Sequence, residues 1–178
     1  CVSRLTRDRE LEELLDAQEI LAYTGTETEL TLVGDGETRG ALERRALDLK
    51  INVIFTGPIY DPSHLSGLYG SADICVVTGR AGLSVIQSLA HGVPVVAHND
   101  LDHQMPEVEA IIPGRTGTLY DRGNATRLAE AISHVGSLRR LGRISSQDCV
   151  NEVLRNWTAE HQADAMRSAI EQTWGRDS

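Results

Sequence analysis

An α/β fold is predicted for this sequence: a Rossmann-like open parallel sheet with helices on both faces, plus C-terminal helices. Two observations carry that expectation. Short, continuous, β-branched apolar runs alternate with longer helical segments, the rhythm of an open doubly wound sheet. The runs are continuous rather than alternating, as in parallel strands covered on both sides. The strand rhythm stops after Ser137, which marks the tail as helical.

Taken in order, the tail of a first strand is expected at Cys1–Ser3, with further strands at Leu30–Val33, Val53–Phe55, Ile74–Val77, Val93–Ala97 and Thr118–Tyr120. Helical segments fall between them at Glu10–Ala22, Thr38–Leu49, Ser63–Gly70, Leu83–His91, a short Pro106–Ile111, and Ala125–Val135. Pro106 suits the first turn of its helix, where a missing N–H is harmless. Asn124 suits the N-cap of the next, where its side-chain oxygen can take a free backbone N–H. Gly70, Gly92 and Gly114 follow helical runs, the place for a left-handed C-terminal glycine. The tail is expected as two helices, Leu138–Leu154 and Thr158–Trp174. The second places Ala159, Ala163, Met166, Ile170 and Trp174 on one face, expected to pack into the core. The alternative is that Trp174 packs on a domain outside this sequence. The organisation read from this is a Rossmann-like unit over residues 1–136 and a helical extension over 137–178 packed on it.

Composition narrows the function classes. Lys plus Arg number 17 against 26 Asp plus Glu, a formal net charge of −9, which argues against a general nucleic-acid surface. Hydrophobic residues at 40% and charged residues at 24% are ordinary globular usage. Cys1, Cys75 and Cys149 share no short spacing, so neither a disulfide framework nor a zinc ribbon is expected, and a reducing compartment is. Cys75, inside an apolar run, reads as a buried structural thiol. No stretch approaches the about 18 apolar residues of a membrane span. A chain opening on Cys1, at the end of a strand, is expected to be a piece of a longer protein.

Ligands of open α/β sheets bind at the carboxyl ends of the strands, so the strand-to-helix loops hold the candidates. The loop Ser3–Arg9 gathers Arg4, Arg7 and Arg9, whose planar forks match phosphate oxygens. The loop Gly34-Asp35-Gly36-Glu37-Thr38-Arg39-Gly40 approximates a dinucleotide fingerprint. The next strand, however, ends Phe55-Thr56-Gly57 without the carboxylate that a nicotinamide ribose requires. The loop Thr78-Gly79-Arg80-Ala81-Gly82-Leu83-Ser84 opens a helix, so its glycines and first-turn N–H groups form a candidate anion site, with Arg80 adding a cation. His98-Asn99-Asp100-Leu101-Asp102-His103-Gln104 matches no specific metal-ligand spacing and suits hydrogen bonding to a polyhydroxyl ligand equally well.

In order along the chain, these pieces resemble one family. They are Leu32-Val33-Gly34-Asp35-Gly36, Val53-Ile54-Phe55-Thr56-Gly57, Tyr69-Gly70-Ser71-Ala72-Asp73 and Ala81-Gly82-Leu83. Ala90-His91-Gly92-Val93-Pro94-Val95-Val96-Ala97, Pro106-Glu107-Val108 and Gly114-Arg115-Thr116-Gly117 follow. Together they resemble the C-terminal, donor-binding domain of GT-B-fold glycosyltransferases, in the large retaining family of many bacterial cell-surface polysaccharide enzymes. Ser3-Arg4-Leu5 with Arg9 is similar to that family's glycine-arginine-leucine motif and its later lysine.

The resemblance implies transfer of a hexose-type sugar from a nucleoside diphosphate sugar, UDP-, GDP- or ADP-linked, with no other cofactor and no metal. It implies an acceptor held by an N-terminal domain outside this sequence, and a cytoplasmic site, at the inner membrane face through that domain. Arg4 and Arg9 would clamp the diphosphate and stabilise charge on the leaving group. Gly34, Gly36, Gly79, Arg80, Ala81, Gly82, Leu83 and Ser84 would line the donor, Thr56 and Gly57 would border the base, and Gln87 and Glu107 would meet ribose and sugar. The family's paired glutamates align with Gly79 and Gln87, which implies a variant donor pocket. A non-catalytic sugar-nucleotide binding domain is the alternative. A nucleotide-sugar 2-epimerase is a further one, although its carboxylate and histidine motifs are not matched.

Overall fold

In the computed structural model, which describes residues 1–174, every paired strand is parallel. The strands are β1 (Leu30–Val33), β2 (Val53–Gly57), β3 (Cys75–Val77), β4 (Val95–His98) and β5 (Gly117–Tyr120). Their hydrogen bonds fall in two groups, a two-stranded β1-β2 and a three-stranded β3-β4-β5. The strand expected at Cys1–Ser3 reduces to a bridge between Val2 and Val33 on the open side of β1. Its backbone still follows a parallel ladder, with the Ser3 N–H donating to the Val33 carbonyl at 3.0 Å and the Val33 N–H donating to that of Cys1 at 2.9 Å.

The helices are α1 (Leu11–Tyr23), α2 (Arg39–Asp48), α3 (Pro62–Ser71), α4 (Leu83–Ala90), α5 (Ala125–Arg140), α6 (Ser146–Asn156) and α7 (Ala159–Trp174). The segment Pro106–Ala110 is a 3-10 turn with Pro106 in its first turn. Asn124 caps α5 by accepting the Arg127 N–H at 3.0 Å. Against the apolar strands β3 and β4 pack Leu14, Leu15, Leu89, Leu128 and Val135, all buried. Cys75 and Cys149 are buried free thiols.

Four expectations change. β2 alternates in exposure, with Ile54 facing solvent, because one of its faces is uncovered. Gly70 lies inside α3, which ends at Ser71, whereas Gly92 and Gly114 take the left-handed φ expected of them (+76° and +74°). The helix expected over Leu138–Leu154 is two. α5 runs to Arg140 without a break at residue 136, Gly142 turns the chain with φ +67°, and Ser145 restarts it by accepting the Asp148 N–H at 3.1 Å. Finally, the apolar stripe of α7 does not enter the core: Met166 and Ile170 are 69% and 56% exposed. The Trp174 side chain lies outside what the structure describes.

Two features position the loops at the strand ends. A Cβ on Gly36 would stand 2.3 Å from the Leu5 carbonyl oxygen, and one on Gly34 would stand 1.9 Å from that of Ser3. Only bare backbone lets the Ser3–Leu5 segment cross so close to the β1–α2 loop. Leu5 is locked there by its N–H on the Asp35 carbonyl at 2.9 Å and by the Thr38 hydroxyl on its own carbonyl at 2.7 Å. At the end of β4, His98 is fully buried, and its Nδ1 accepts the Asp100 N–H at 3.3 Å. Burial, then the nearby Arg122 charge, holds its imidazole pKa below the usual histidine value.

Gly36→Ala is expected to destabilise the fold by about 1–3 kcal/mol, read by urea unfolding, because the added methyl meets backbone that cannot yield. His98 gives a pH signature. Protonation is harder in the fold than in the unfolded chain, so its contribution is full above about pH 6.5 and is lost as pH falls through the lowered folded pKa. His98→Asn keeps an acceptor near Nδ1 and removes the titration. The stability gap between wild type and variant should therefore shrink from pH 7.5 to pH 5; a constant gap would contradict it.

Candidate functional site

The first loop leaves Leu5, which is buried, and makes a 3-10 turn over Arg7–Arg9. Thr6 donates its hydroxyl to Asp8 Oδ1 at 2.6 Å, and this bond, more than any charge, holds the Asp8 carboxyl below its ordinary pKa. Arg9 is tied into the third loop at two points. Its carbonyl accepts the Thr78 hydroxyl at 2.6 Å, and its Nη1 donates to the Arg80 carbonyl at 3.0 Å. Its Nε is buried without a hydrogen-bond partner among the described residues and lies 3.7 Å from Asp8 Oδ2, an ion pair within the same turn.

Gly79 makes that junction possible. A Cβ there would lie 2.5 Å from the Asp8 carbonyl oxygen and 2.7 Å from Arg9 Cα. The backbone of Asp8 and Arg9 therefore fills the space from which any longer side chain at position 79 would start. Beyond it the chain enters α4 through Gly82, and the Leu83 and Ser84 N–H groups, in the first turn, have no partner among the described residues. The Ala81 N–H is different: Gln104 Oε1 accepts it at 2.6 Å, while Gln104 Nε2 donates to the His98 carbonyl at 2.9 Å.

The result is a cleft of about 190 Å³ in which Ser3, Arg9, Gly79, Gly82, Leu83 and Ser84 meet. Cationic guanidinium and free helix-start N–H groups thus face one small space, the chemistry of an anion site. The other expected residues stand around it or apart. The exposed Arg4 side chain makes no hydrogen bond or ion pair among the described residues. Arg80 points to solvent and offers only its carbonyl. Gly34 and Gly36 serve the crossing of the first loop. At the end of β2, Thr56 donates its hydroxyl to the Gly57 carbonyl at 2.9 Å, and Gly57 turns the chain with φ +77°. Gln87 is exposed one turn beyond Ser84 on α4, and Glu107, in the 3-10 turn, keeps Oε2 buried without a partner.

The loop after β4 differs from its sequence expectation. Asn99 donates to Asp121 at 2.8 Å, the Asp100 carboxylate holds His103 and Arg122 (2.9 Å each), and Gln104 spans two backbone groups. These polar groups are engaged with protein and brace the cleft, whereas His98 Nε2, in the same loop, is buried without a hydrogen-bond partner among the described residues. Arg122 is not among the sequence-derived candidates. Thr78 and Gln104 lie within loops singled out there, but nothing local showed that they would bond the Arg9 carbonyl and the Ala81 N–H.

Comparison with known proteins follows the same lines. Residues 1–137 match the family model described as glycosyl transferases group 1. A GDP-mannose-dependent alpha-(1-6)-phosphatidylinositol dimannoside mannosyltransferase of Mycobacterium tuberculosis is 36% identical over 96 residues. An alpha-monoglucosyldiacylglycerol synthase of Streptococcus pneumoniae is 32% identical over 104 residues. The matches cover 52% and 56% of this chain but 25% and 23% of those proteins, so the chain spans about a quarter of these curated relatives. A variant of S. aureus TarM, in complex with fondaparinux, alpha-GlcNAc-glycerol and UDP, shares the fold with a TM-score of 0.81 at 17% identity, over 94% of this chain and 34% of that one. Sucrose-phosphate synthase from Thermosynechococcus elongatus gives 0.77 at 24% identity, over 98% and 45%. The family model covers more than half of the sequence and the parallel α/β architecture agrees with it: this chain belongs to the glycosyl transferases group 1 family.

Proposed function

We propose that this chain carries the sugar-nucleotide donor site of a glycosyltransferase, with the acceptor held by a domain outside these residues. The observation that carries the reading is the convergence of Arg9 with the free Leu83 and Ser84 N–H groups on one cleft. A diphosphate seated there meets a positive fork and a helix start together, and both gain strength as its charge grows on departure of the sugar. Arg4, exposed and five residues before Arg9, would meet the diphosphate from the solvent side. We place the donor-binding unit over residues 1–136, with α5 continuing past that boundary to Arg140, and take α6 and α7 as its helical extension.

The rest of the pocket follows from position. Thr56 and Gly57 border the base and Gln87 offers its amide to the ribose. The buried, unpartnered Glu107 oxygen suits a sugar hydroxyl. Because Gly79 leaves no room for a carboxylate, the sugar is held without a charged group from that position. The relatives named for phosphatidylinositol dimannoside and monoglucosyldiacylglycerol support a lipid-linked acceptor; that it is reached from the cytoplasmic side is our proposal. Among the described residues no helix is long and apolar enough to cross a membrane. The same Gly79 geometry favours one second reading, a domain that binds sugar nucleotides without turning them over.

Calorimetry with UDP, GDP and ADP tests the proposal. One of them is expected to bind, and Arg9→Ala to weaken it by about 10–100-fold, the worth of a charged hydrogen bond. The matching nucleoside should lose far less. No heat with any diphosphate, or equal losses on both ligands, would overturn the assignment. Transfer of radiolabelled sugar by the whole protein, present or absent, separates the enzyme from the binding domain.

A further inference from the structure

Glu10, the residue after Arg9, is one of two non-glycine residues with positive φ among those described, at +50°. A left-handed backbone costs a side-chain-bearing residue about 1–2 kcal/mol, so something must hold it there. The Glu10 N–H donates to the Arg7 carbonyl at 3.1 Å and its carbonyl accepts the Glu13 N–H at 3.2 Å, while its side chain is held by Arg122, just past β5 and 112 positions away. Its Nε donates to both Glu10 carboxylate oxygens at 3.1 Å and its Nη2 donates to Oε1, a full fork. Its remaining nitrogen, Nη1, reaches Asp100 Oδ2 at 2.9 Å. All three side chains are about one-third exposed, so solvent screens the network only in part.

The consequence falls on Arg9. Glu10 is the hinge between the Arg7–Arg9 turn and α1, and its left-handed conformation sets how that turn leans against the third loop. The turn then meets Thr78 and Arg80 through Arg9. Glu10 also carries a negative charge beside a site meant for an anion, and the Arg122 fork neutralises it. We propose that Arg122 is a positioning residue of the donor site: acting through Glu10, it holds Arg9 in the cleft and cancels the adjacent carboxylate. The inference rests on the donor-site reading above.

Glycine adopts a left-handed φ freely and carries no charge, so Glu10→Gly removes both needs that Arg122 serves. This gives a double-mutant cycle, read by calorimetry with UDP, GDP and ADP, and with inorganic pyrophosphate as a base-free probe. Arg122→Ala is expected to weaken diphosphate and pyrophosphate binding by about tenfold or more in the Glu10 background. In the Glu10→Gly background the same substitution should change binding by less than about threefold. Circular dichroism melting checks that each variant is folded, and Arg122→Gln replaces Arg122→Ala in the cycle if the latter is not. Equal losses in both backgrounds would show that Arg122 does not act through Glu10 and would overturn the proposal. So would binding of wild-type strength in Arg122→Ala. Failure of wild type itself to bind any probe would instead overturn the donor-site reading, a distinguishable result.

Discussion

The contact on which the site depends is the packing of the Asp8–Arg9 backbone against Gly79. Glycine there has no Cβ, and any added one would lie within 2.5 Å of the Asp8 carbonyl oxygen. Because that space is empty of side chain, Thr78 can bond the Arg9 carbonyl and Arg9 can bond the Arg80 carbonyl. Two loops from distant parts of the chain become one wall, and the start of α4 opens beside it. The same logic recurs at Gly34 and Gly36, where bare backbone lets the first loop cross the β1–α2 loop before it reaches Arg9. At these three positions glycine serves as a place where two backbones touch.

An anion site in a chain of net charge −9 needs its acids elsewhere. Asp100 and Glu10 are paired with Arg122, and Asp8 is held by the Thr6 hydroxyl and stands near Arg9. The hydrogen bond from Arg122, followed by that from His103, keeps the Asp100 carboxyl below its ordinary pKa, so it stays ionised and bonded at neutral pH. Glu13 behaves in the opposite sense. Burial lifts its pKa, and Tyr120 donates to its Oε2 at 3.1 Å, a bond that ties α1 to the end of β5. The net charge of the chain therefore says little about the potential inside the cleft, which is set by which acids are paired.

Much of the architecture was legible in the residues. β1 was readable to the residue, because a continuous apolar run bounded by a glycine loop has few alternatives. The start of α5 was readable from Asn124 and that of the 3-10 turn from Pro106, where one side chain or ring decides the geometry. The glycine-rich loop before α4 does enter a helix whose Leu83 and Ser84 N–H groups have no partner among the described residues, as its residues implied. What escaped was set at long range or by context. Nothing local joins Arg122 to Glu10 or Gln104 to Ala81, since each bond exists only once the strand ends are assembled. The split of the tail at Gly142 and Ser145 was hidden inside a helical pattern, and the exposed stripe of α7 shows that periodicity reports a face without saying what covers it.

The most direct test of the central claim, that the start of α4 and Arg9 form one diphosphate site, is residue-resolved. In a ¹⁵N-labelled sample titrated with UDP, GDP or ADP, the Leu83 and Ser84 amides and the Arg9 side chain should shift most. The Ala81 amide, already held by Gln104, should move less. Shifts confined to the wider groove of about 720 Å³ at the opposite strand ends, around Leu30, Asp73 and Arg140, with Leu83, Ser84 and Arg9 unmoved, would contradict the account.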